Sequence, residues 1–428
     1  MQGGSNNALN PFLGNQNSEV SNSLSEYRQQ LLLELTGNIL PFWLDRMPDR
    51  QYGGFYGQIN GMNQVVPKAP KGGILNARIL WTFSAASRLL GEEQYLAAAQ
   101  RARDYVFAHF FDRQEGGAFW LLDYKGQPAD DKKQIYSQAF FIYALAEYFM
   151  ATNDNESLQQ AIELFHLIEE KSFDPTNNGY FEAYSRHWQP LEDLRLSKKD
   201  ANEKKTMNTH LHILEAYTNL YSIWKNDVLA KQLGNLIDLF LKKIIDPRTN
   251  HLSLFFDERW NRKSSLISFG HDIEASWLLC EAALVLGDEE RLAQSRDKSL
   301  KILAAAEKGM QADGSLIYEY EPKTGQFDRD RHWWPQAEAV VGFFNAYEIN
   351  GNKRFLHLSK KAFRYIRQHL IDPEGEWYWS IRADGSPNRD DDKAGFWKCP
   401  YHNSRMCIEL IKRIANLSVN QSQRKINH

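Results

Sequence analysis

Cysteine is scarce in this 428-residue sequence: only Cys280, Cys399 and Cys407 occur. They form no CxxC and no even framework, which argues against structural disulfides and makes a reducing, cytoplasmic setting the expectation. Long apolar runs are missing too, and the mean hydropathy is −0.56, so no transmembrane helix is expected. An excess of one charge is absent: 51 basic against 54 acidic residues leave −3, with no long basic block. Neither nucleic acid nor an anionic membrane is the expected partner. The chain has no GxGxxG after a strand, no P-loop and no GxSxG elbow, so neither a nucleotide cofactor nor serine hydrolysis has support. It also lacks HExxH. His271 and Glu274 share a helical face, but in the reverse order of the di-iron pattern, and no catalytic metal is expected.

What the chain has in excess is aromatic side chains: Trp 12, Tyr 19 and Phe 24 make up 13%. Many fall in a recurring phrase of turn residues followed by alternating aromatic and aliphatic ones. It reads QYGGFYGQINGMNQ at 51, EGGAFWLLDYKGQP at 115, NNGYFEAYSRHWQP at 177, NHLSLFFDERWNR at 250, DGSLIYEYEPKTGQ at 313 and EGEWYWSIRADGSP at 374. Each phrase has the pattern of a short hairpin or extended loop. Between phrases the period becomes helical, as in Ile79, Phe83, Ala86 and Leu90, and paired helical runs recur. They cover 78–90 with 95–110, 134–151 with 156–171, 207–225 with 228–245, 272–286 with 289–307, and 335–349 with 352–370, between single helices at 24–46 and 402–416. Twelve helices in six pairs, with unpaired first and last members, predict a closed all-α (α/α)6 barrel with its hairpins at one mouth; an open array is the alternative. The barrel is expected over 23–417. The stretch 1–22, rich in Asn, Gln, Ser and Gly and without the basic start and apolar run of a signal peptide, reads as a disordered tail, and 418–428 as a second tail.

In such a barrel the start of each inner helix borders a shared cavity. Those places hold Asn76, Arg78 and Trp81; Tyr136 and Gln138; Asn208, His210 and His212; His271 and Glu274; Trp333, Trp334, Gln336 and Glu338; and Trp397, His402 and Arg405. His212, His271 and His402 come from separate repeats and titrate near neutrality, the property a proton-transfer centre needs. Asn208 and His212 are four apart and share a face; His210 points elsewhere and reads as a supporting residue. A glycosidase would need two carboxylates, for which Asp200, Glu274 and Glu338 are candidates, while Asp390, Asp391 and Asp392 read as a solvated loop. The hydrolase reading leaves the histidines unexplained. Proton removal next to a carbonyl explains them, with His271 and His402 as bases and Arg78 stabilising the enolate oxygen.

Several long segments resemble the N-acylglucosamine 2-epimerase superfamily and, within it, the cellobiose 2-epimerases. They are GGFYG at 53, LNARILWTFSAA at 75, RLSKKDANEKKTMNTHLHILEAYTNLY at 195, FGHDIEASWLL at 269, HWWPQAEAVVGFFNAY at 332 and GFWKCPYHNSRMCIEL at 395. The resemblance spans about 24–416. It implies an (α/α)6 barrel that epimerises C2 of the reducing-end glucose of a β-1,4-linked disaccharide without metal or nucleotide. By the same resemblance, His271 and His402 are the acid/base pair, His212 assists ring opening, Arg78 lies beside the reacting oxygens and Glu274 is the carboxylate linked to His271. Tyr136, Asn208, Trp334 and Trp397 match sugar-contacting positions, and Asp200 lies in the loop near the non-reducing sugar. Trp81 and Glu338 are counted with the substrate-binding set. A monomer acting on a small sugar is expected, with an oligomer as the alternative. An aldose–ketose isomerase or an N-acylglucosamine 2-epimerase of the same superfamily and, from another class, a non-catalytic glycan-binding barrel are the competing readings.

Overall fold

The computed structural model describes the backbone of residues 11–426 and the side chains of 22–418. Helix α1 (Pro11–Glu34) continues through a π-helical turn, Leu35–Ile39, into α2 (Leu40–Arg46), and the three form one rod. The helices that follow are α3 (Gly73–Leu90), α4 (Glu93–Tyr105), α5 (Ile135–Thr152), α6 (Asn155–Lys171), α7 (Met207–Ile223), α8 (Asp227–Leu239), α9 (Phe269–Leu286), α10 (Glu289–Ala306), α11 (Trp333–Asn350), α12 (Lys353–Tyr365) and α13 (Tyr401–Ile426). Among the described residues this makes twelve rods. None of the described helices is long and apolar enough to cross a membrane.

The inner ring closes. Helix α3 packs on α5, α5 on α7, α7 on α9, α9 on α11, α11 on α13, and α13 returns to α3, while α4, α6, α8, α10, α12 and α1 pack outside. Composition explains which helices go inside. An inner helix has neighbours on both flanks and an outer helix behind it, so it must be apolar nearly all round: every residue from Gly73 to Ala86 in α3 and from Ile135 to Tyr148 in α5 is buried. Outer α4 buries only a stripe, Tyr95, Ala98, Ala99, Ala102 and Tyr105, at three- and four-residue spacing. Inner α3, α9 and α11 end in Gly91, Gly287 and Gly351 with φ of 72°, 76° and 69°, a left-handed stop that side chains resist.

The mouth is stitched from repeat to repeat. The two residues leading into an inner helix pair antiparallel with the aromatic phrase of the next repeat: Lys71–Gly72 with Leu121–Leu122, Lys133–Gln134 with Ala183–Tyr184, Lys205–Thr206 with Phe255–Phe256, and Arg331–His332 with Ser380–Ile381. Ile59 bridges Ala394, which joins the first repeat to the last. Two side-chain devices repeat beneath these strands. The fourth residue of an inner helix reaches back to a hairpin backbone: Gln138 bonds both N and O of Ala118 (2.7 and 2.9 Å), Gln336 both of Leu316 (2.8 and 2.8 Å), His210 accepts from Tyr180 N (2.9 Å) and Asp272 from Leu252 N (2.8 Å). The lead-in lysines Lys71, Lys133 and Lys205 each pair with a buried aspartate, Asp49, Asp112 and Asp174.

Five boundaries differ from expectation, three helix starts and the two ends of the chain. Periodicity predicts α3, α9 and α11 to open at 78, 272 and 335, and each opens earlier, because its first turn is buried nearly all round and shows no one-sided period. Helix α1 is described from Pro11 and α13 to Ile426, inside the segments 1–22 and 418–428 that read as tails; residues 1–10 and 427–428 lie outside the described residues.

The lysine pairs make a stability prediction. Lys205 Nζ donates to Asp174 Oδ2, Asn178 O and Glu258 O, all at 2.7 Å, and its side chain is fully buried. Lys205→Met leaves a buried aspartate without its cation and is expected to cost about 3–5 kcal/mol in urea unfolding. The same change at Lys301, a half-exposed partner of Asp297, is expected to cost less than about 1 kcal/mol.

Candidate active site

The six inner helices are equivalent by position, so equal ordinals lie at equal depth in the ring. The second and sixth residues of a helix are four apart and share a face. The second residues include Tyr136, Asn208, Trp334 and His402; the sixth include Arg78, His212, Glu274 and Glu338; His271 is the third residue of α9. Contacts between helices show that these side chains converge. Arg78 of α3 donates to the Tyr136 hydroxyl of α5 (2.9 Å), and His402 of α13 lies 2.7 Å from Glu338 of α11. The Trp334 indole lies 4.7 Å from the ring of His271 and 5.7 Å from that of His402. Gly270, at the second position of α9, admits that indole: a Cβ there would stand 2.6 Å from its ring.

Each of the three histidines is held through Nδ1, and each by a different group. For His212 the partner is Glu215 Oε2 (2.9 Å), for His402 it is Glu338 Oε1 (2.7 Å), and for His271 it is the Ser268 hydroxyl (2.8 Å). Among the described residues Nε2 of each has no protein partner, which leaves it for substrate. Burial depresses all three. It brings His271, repelled also by His212 and His402, to about 3; His402 also falls to about 3 in spite of Glu338; and His212 is lowered in spite of Glu215. All three are therefore neutral bases near pH 7.

Arg405 is the residue that sequence reading placed nearby but left out of the candidate set. Its buried guanidinium bonds Glu215, Glu274 (2.8 Å) and Glu338 (2.6 Å), so one cation bridges three inner helices. Burial, reinforced by Glu338 and Glu215, pushes the Glu274 carboxyl up against the pull of Arg405. Glu338 stays low although burial opposes it, because Arg405 and His402 hold its charge. Glu274, Glu338 and His402 bring three donor atoms within 4.8 Å of one another. Arg405 Nη2 already occupies the cationic position between the two carboxylates, so this donor set fits a guanidinium rather than a metal ion.

Arg78 has a contrasting setting. Its guanidinium touches Tyr136 and the Cys399 thiol (3.6 Å) and lies over the rings of Phe140 (4.2 Å) and Tyr401 (4.7 Å). No described carboxylate is within ion-pair distance. Its Nε and the Asn208 Oδ1 are buried without partners, two polar atoms in want of a ligand.

Other expected residues fall as follows. Glu274 was expected beside His271, yet it bonds Arg405 and stands 4.0 Å from His402, because the short i to i+3 link from His271 is taken by Ser268 on the preceding turn. Glu338, counted as a sugar contact, spends both oxygens on protein groups, since Trp277 Nε1 takes Oε2 (2.9 Å). Trp81 stacks flat on Tyr143 (5.3 Å, 9°) and abuts Tyr401, so one face of its indole is covered. Trp397 stands edge-on to Tyr136 and Trp120, and Asp200 accepts from Ser197 N (2.8 Å) in the 191–204 loop at the mouth. The Asp390–Asp392 run is structural: its members bond Arg382, Asn388 and Gln58.

The fold is an (α/α)6 barrel with three buried histidines gathered in its cavity, and the chain is an enzyme of the isomerase class. The chain matches the N-acylglucosamine 2-epimerase (GlcNAc 2-epimerase) family over residues 54–405, and it belongs to that family. It is 56% identical to a cellobiose 2-epimerase of Bacteroides fragilis over 90% of this chain and 98% of the relative. The solved cellobiose 2-epimerase of Bacillus thermoamylovorans superposes with a TM-score of 0.87 at 43% identity, over 91% of this chain and all of that one. A D-mannose isomerase at 18% identity, TM-score 0.77, shares the fold.

The histidine environments predict a titration. His271 and His402 Cε1–H signals are expected to stay at their neutral positions from about pH 8 to pH 5 in NMR, where unperturbed imidazoles would show midpoints near about 6.5. The unfolded chain binds the extra protons, so these histidines leave stability unchanged above about pH 6.5 and reduce it as pH falls toward 3.

Proposed function

We propose that this protein reversibly inverts C2 of the reducing-end glucose of β-1,4-linked disaccharides, taking cellobiose to glucosyl-mannose and lactose to epilactose. The observation that carries the chemistry is a pair of neutral histidines, His271 and His402, both against the Trp334 indole, with the unneutralised guanidinium of Arg78 near enough to His402 to reinforce its lowering by burial. The names of the close relatives supply the substrate class.

The steps follow from what each group can do. His212 assists opening of the pyranose, which exposes the C1 aldehyde. That carbonyl acidifies C2–H, and one of the two histidines removes the proton. The electron pair passes into a cis-enediolate whose oxygen charge lies against Arg78, in a site dry enough for that attraction to count. After rotation about C2–C3, the other histidine, having taken up a proton from solvent, donates it to the opposite face, and the first histidine returns the proton it removed to solvent. Two bases serve better than one because each face then has its own donor. Tyr136, Asn208, Trp334, Trp397 and Asp200 bind the sugars in this reading, and no cofactor takes part. The enzyme works as a monomer in the cytoplasm, in keeping with three free, buried cysteines.

A glycosidase would need two carboxylates free to face a glycosidic bond. Glu274 and Glu338 are both engaged by Arg405, which disfavours that reading.

Cellobiose incubated with the enzyme in D2O and followed by NMR is expected to give glucosyl-mannose carrying deuterium at C2. His271→Ala and His402→Ala are each expected to lower kcat by about 10²- to 10⁴-fold. Near-full activity in either variant defeats the two-base mechanism. A ketose product would identify an aldose–ketose isomerase, free glucose a hydrolase, and binding without turnover a glycan-binding barrel.

A further inference from the structure

The proposed mechanism gives His212 a task and leaves unexplained what fits it for that task. Opening a hemiacetal moves one proton from O1 to O5 as the C1–O5 bond breaks and the C1=O bond forms. A histidine can mediate this transfer only if its tautomer and orientation are fixed and its cationic form is supported. The partner of His212 comes from its own helix, three residues on: Glu215 Oε2 lies 2.9 Å from Nδ1, with both side chains 3% exposed. The other oxygen of Glu215 accepts from the Tyr401 hydroxyl and from Arg405, both on α13. Glu215 stays ionised although burial opposes it, because Arg405 and His212 hold its charge.

We propose that Glu215 is the positioning residue of the ring-opening step: it orients His212 as a carboxylate-backed acid/base, and Arg405 and Tyr401 fix it in that position. The assignment rests on the epimerase reading above. Through Arg405 the same guanidinium also holds Glu338, the partner of His402, so two of the three histidines hang from one cation while His271, on Ser268, stands apart. Glu215 touches no reacting atom in this arrangement; it acts through His212.

The test compares two substrates on full-length enzyme carrying Glu215→Gln, which keeps the shape of the side chain and removes its charge. One substrate is cellobiose. The other is an aldehydo-glucose methylated at O4, O5 and O6, which cannot close a ring and enters the reaction already open. On cellobiose, kcat is expected to fall about 10²-fold, the low end of what a general acid–base group supplies, with KM nearly unchanged. On the open-chain aldose the rate of C2 deuterium exchange is expected to stay within about twofold of the parent enzyme. An equal loss on both substrates would reduce Glu215 to a structural role, and no loss on cellobiose would overturn the assignment. If Glu215→Gln fails to fold, Tyr401→Phe withdraws one of the groups that hold the carboxylate, and the same selective loss on cellobiose is expected in smaller measure. A parent enzyme inert toward cellobiose would defeat the epimerase reading itself; an active parent with an unselective variant would defeat only the role of Glu215.

Discussion

The guanidinium of Arg405 lies buried among carboxylates from three different inner helices, Glu215 of α7, Glu274 of α9 and Glu338 of α11. Arg405 itself belongs to α13, the helix that closes the ring against α3. The last rod of the barrel therefore docks through an ionic contact at the floor of the cavity as well as through apolar packing. Such a contact is costly to form, since four charged or chargeable groups leave water, and costlier to leave incomplete, since any one group removed strands the others. The site depends on it in a direct way: two of the three histidines take their orientation from carboxylates that Arg405 holds, and Trp277, buried on α9, donates to a third atom of the same cluster.

Around this cluster the barrel separates scaffolding from chemistry by position along each inner helix. Fourth residues such as Gln138, His210, Asp272 and Gln336 are spent on the backbone of the hairpins. Second and sixth residues are free of that duty and differ from helix to helix: Tyr, Asn, Trp and His at one depth, Arg, His and Glu at the other. This division lets a repeated frame carry an unrepeated site, and it accounts for His210. That residue lies two positions from His212, is fully buried, and works as a clamp on Tyr180 N, while His212 pairs with Glu215 in the cavity. The same logic is in keeping with glycoside hydrolases sharing the fold at 10–13% identity, TM-scores 0.56–0.62, where only the frame is common.

Much of this was legible before any coordinates. The aromatic phrases and the alternation of helical runs specify twelve helices, because hairpin and helix have different periods and the runs recur six times. The ionisable residues at the inner-helix starts were legible too, since a buried helix face that keeps His, Arg and Glu has a reason to do so. What escaped was pairing. Nothing in the order of residues says that Glu274 and Glu338 meet on Arg405, because the three lie on separate helices and their contact exists only once the ring is closed. His271 and Glu274 sit at helical spacing, which suggested a pair, but Ser268, one turn earlier, is nearer to Nδ1. The cross-repeat strands escaped for the same reason: each phrase reads as a self-contained hairpin, and its partner lies in the preceding repeat. The link between His212 and Glu215 was the one pairing open to sequence reasoning, since i and i+3 on a helix are neighbours.

The charges of the site follow a single account. Burial lowers the three histidines, so they contribute no charge at neutral pH, and it raises Glu274 toward the protonated form. What remains is two carboxylates, Glu215 and Glu338, against two guanidiniums, Arg405 and Arg78. The distribution of these charges is uneven. Arg405 touches both carboxylates, while Arg78 touches none and is caged by the faces of Phe140 and Tyr401. The carboxylates therefore gather at the Arg405 end of the cavity, and the Arg78 end is locally positive. In the proposed mechanism, an enediolate formed beside Arg78 meets a positive charge that no described carboxylate has already cancelled. In that mechanism the sugar itself, once a proton leaves C2, becomes the counter-charge of Arg78.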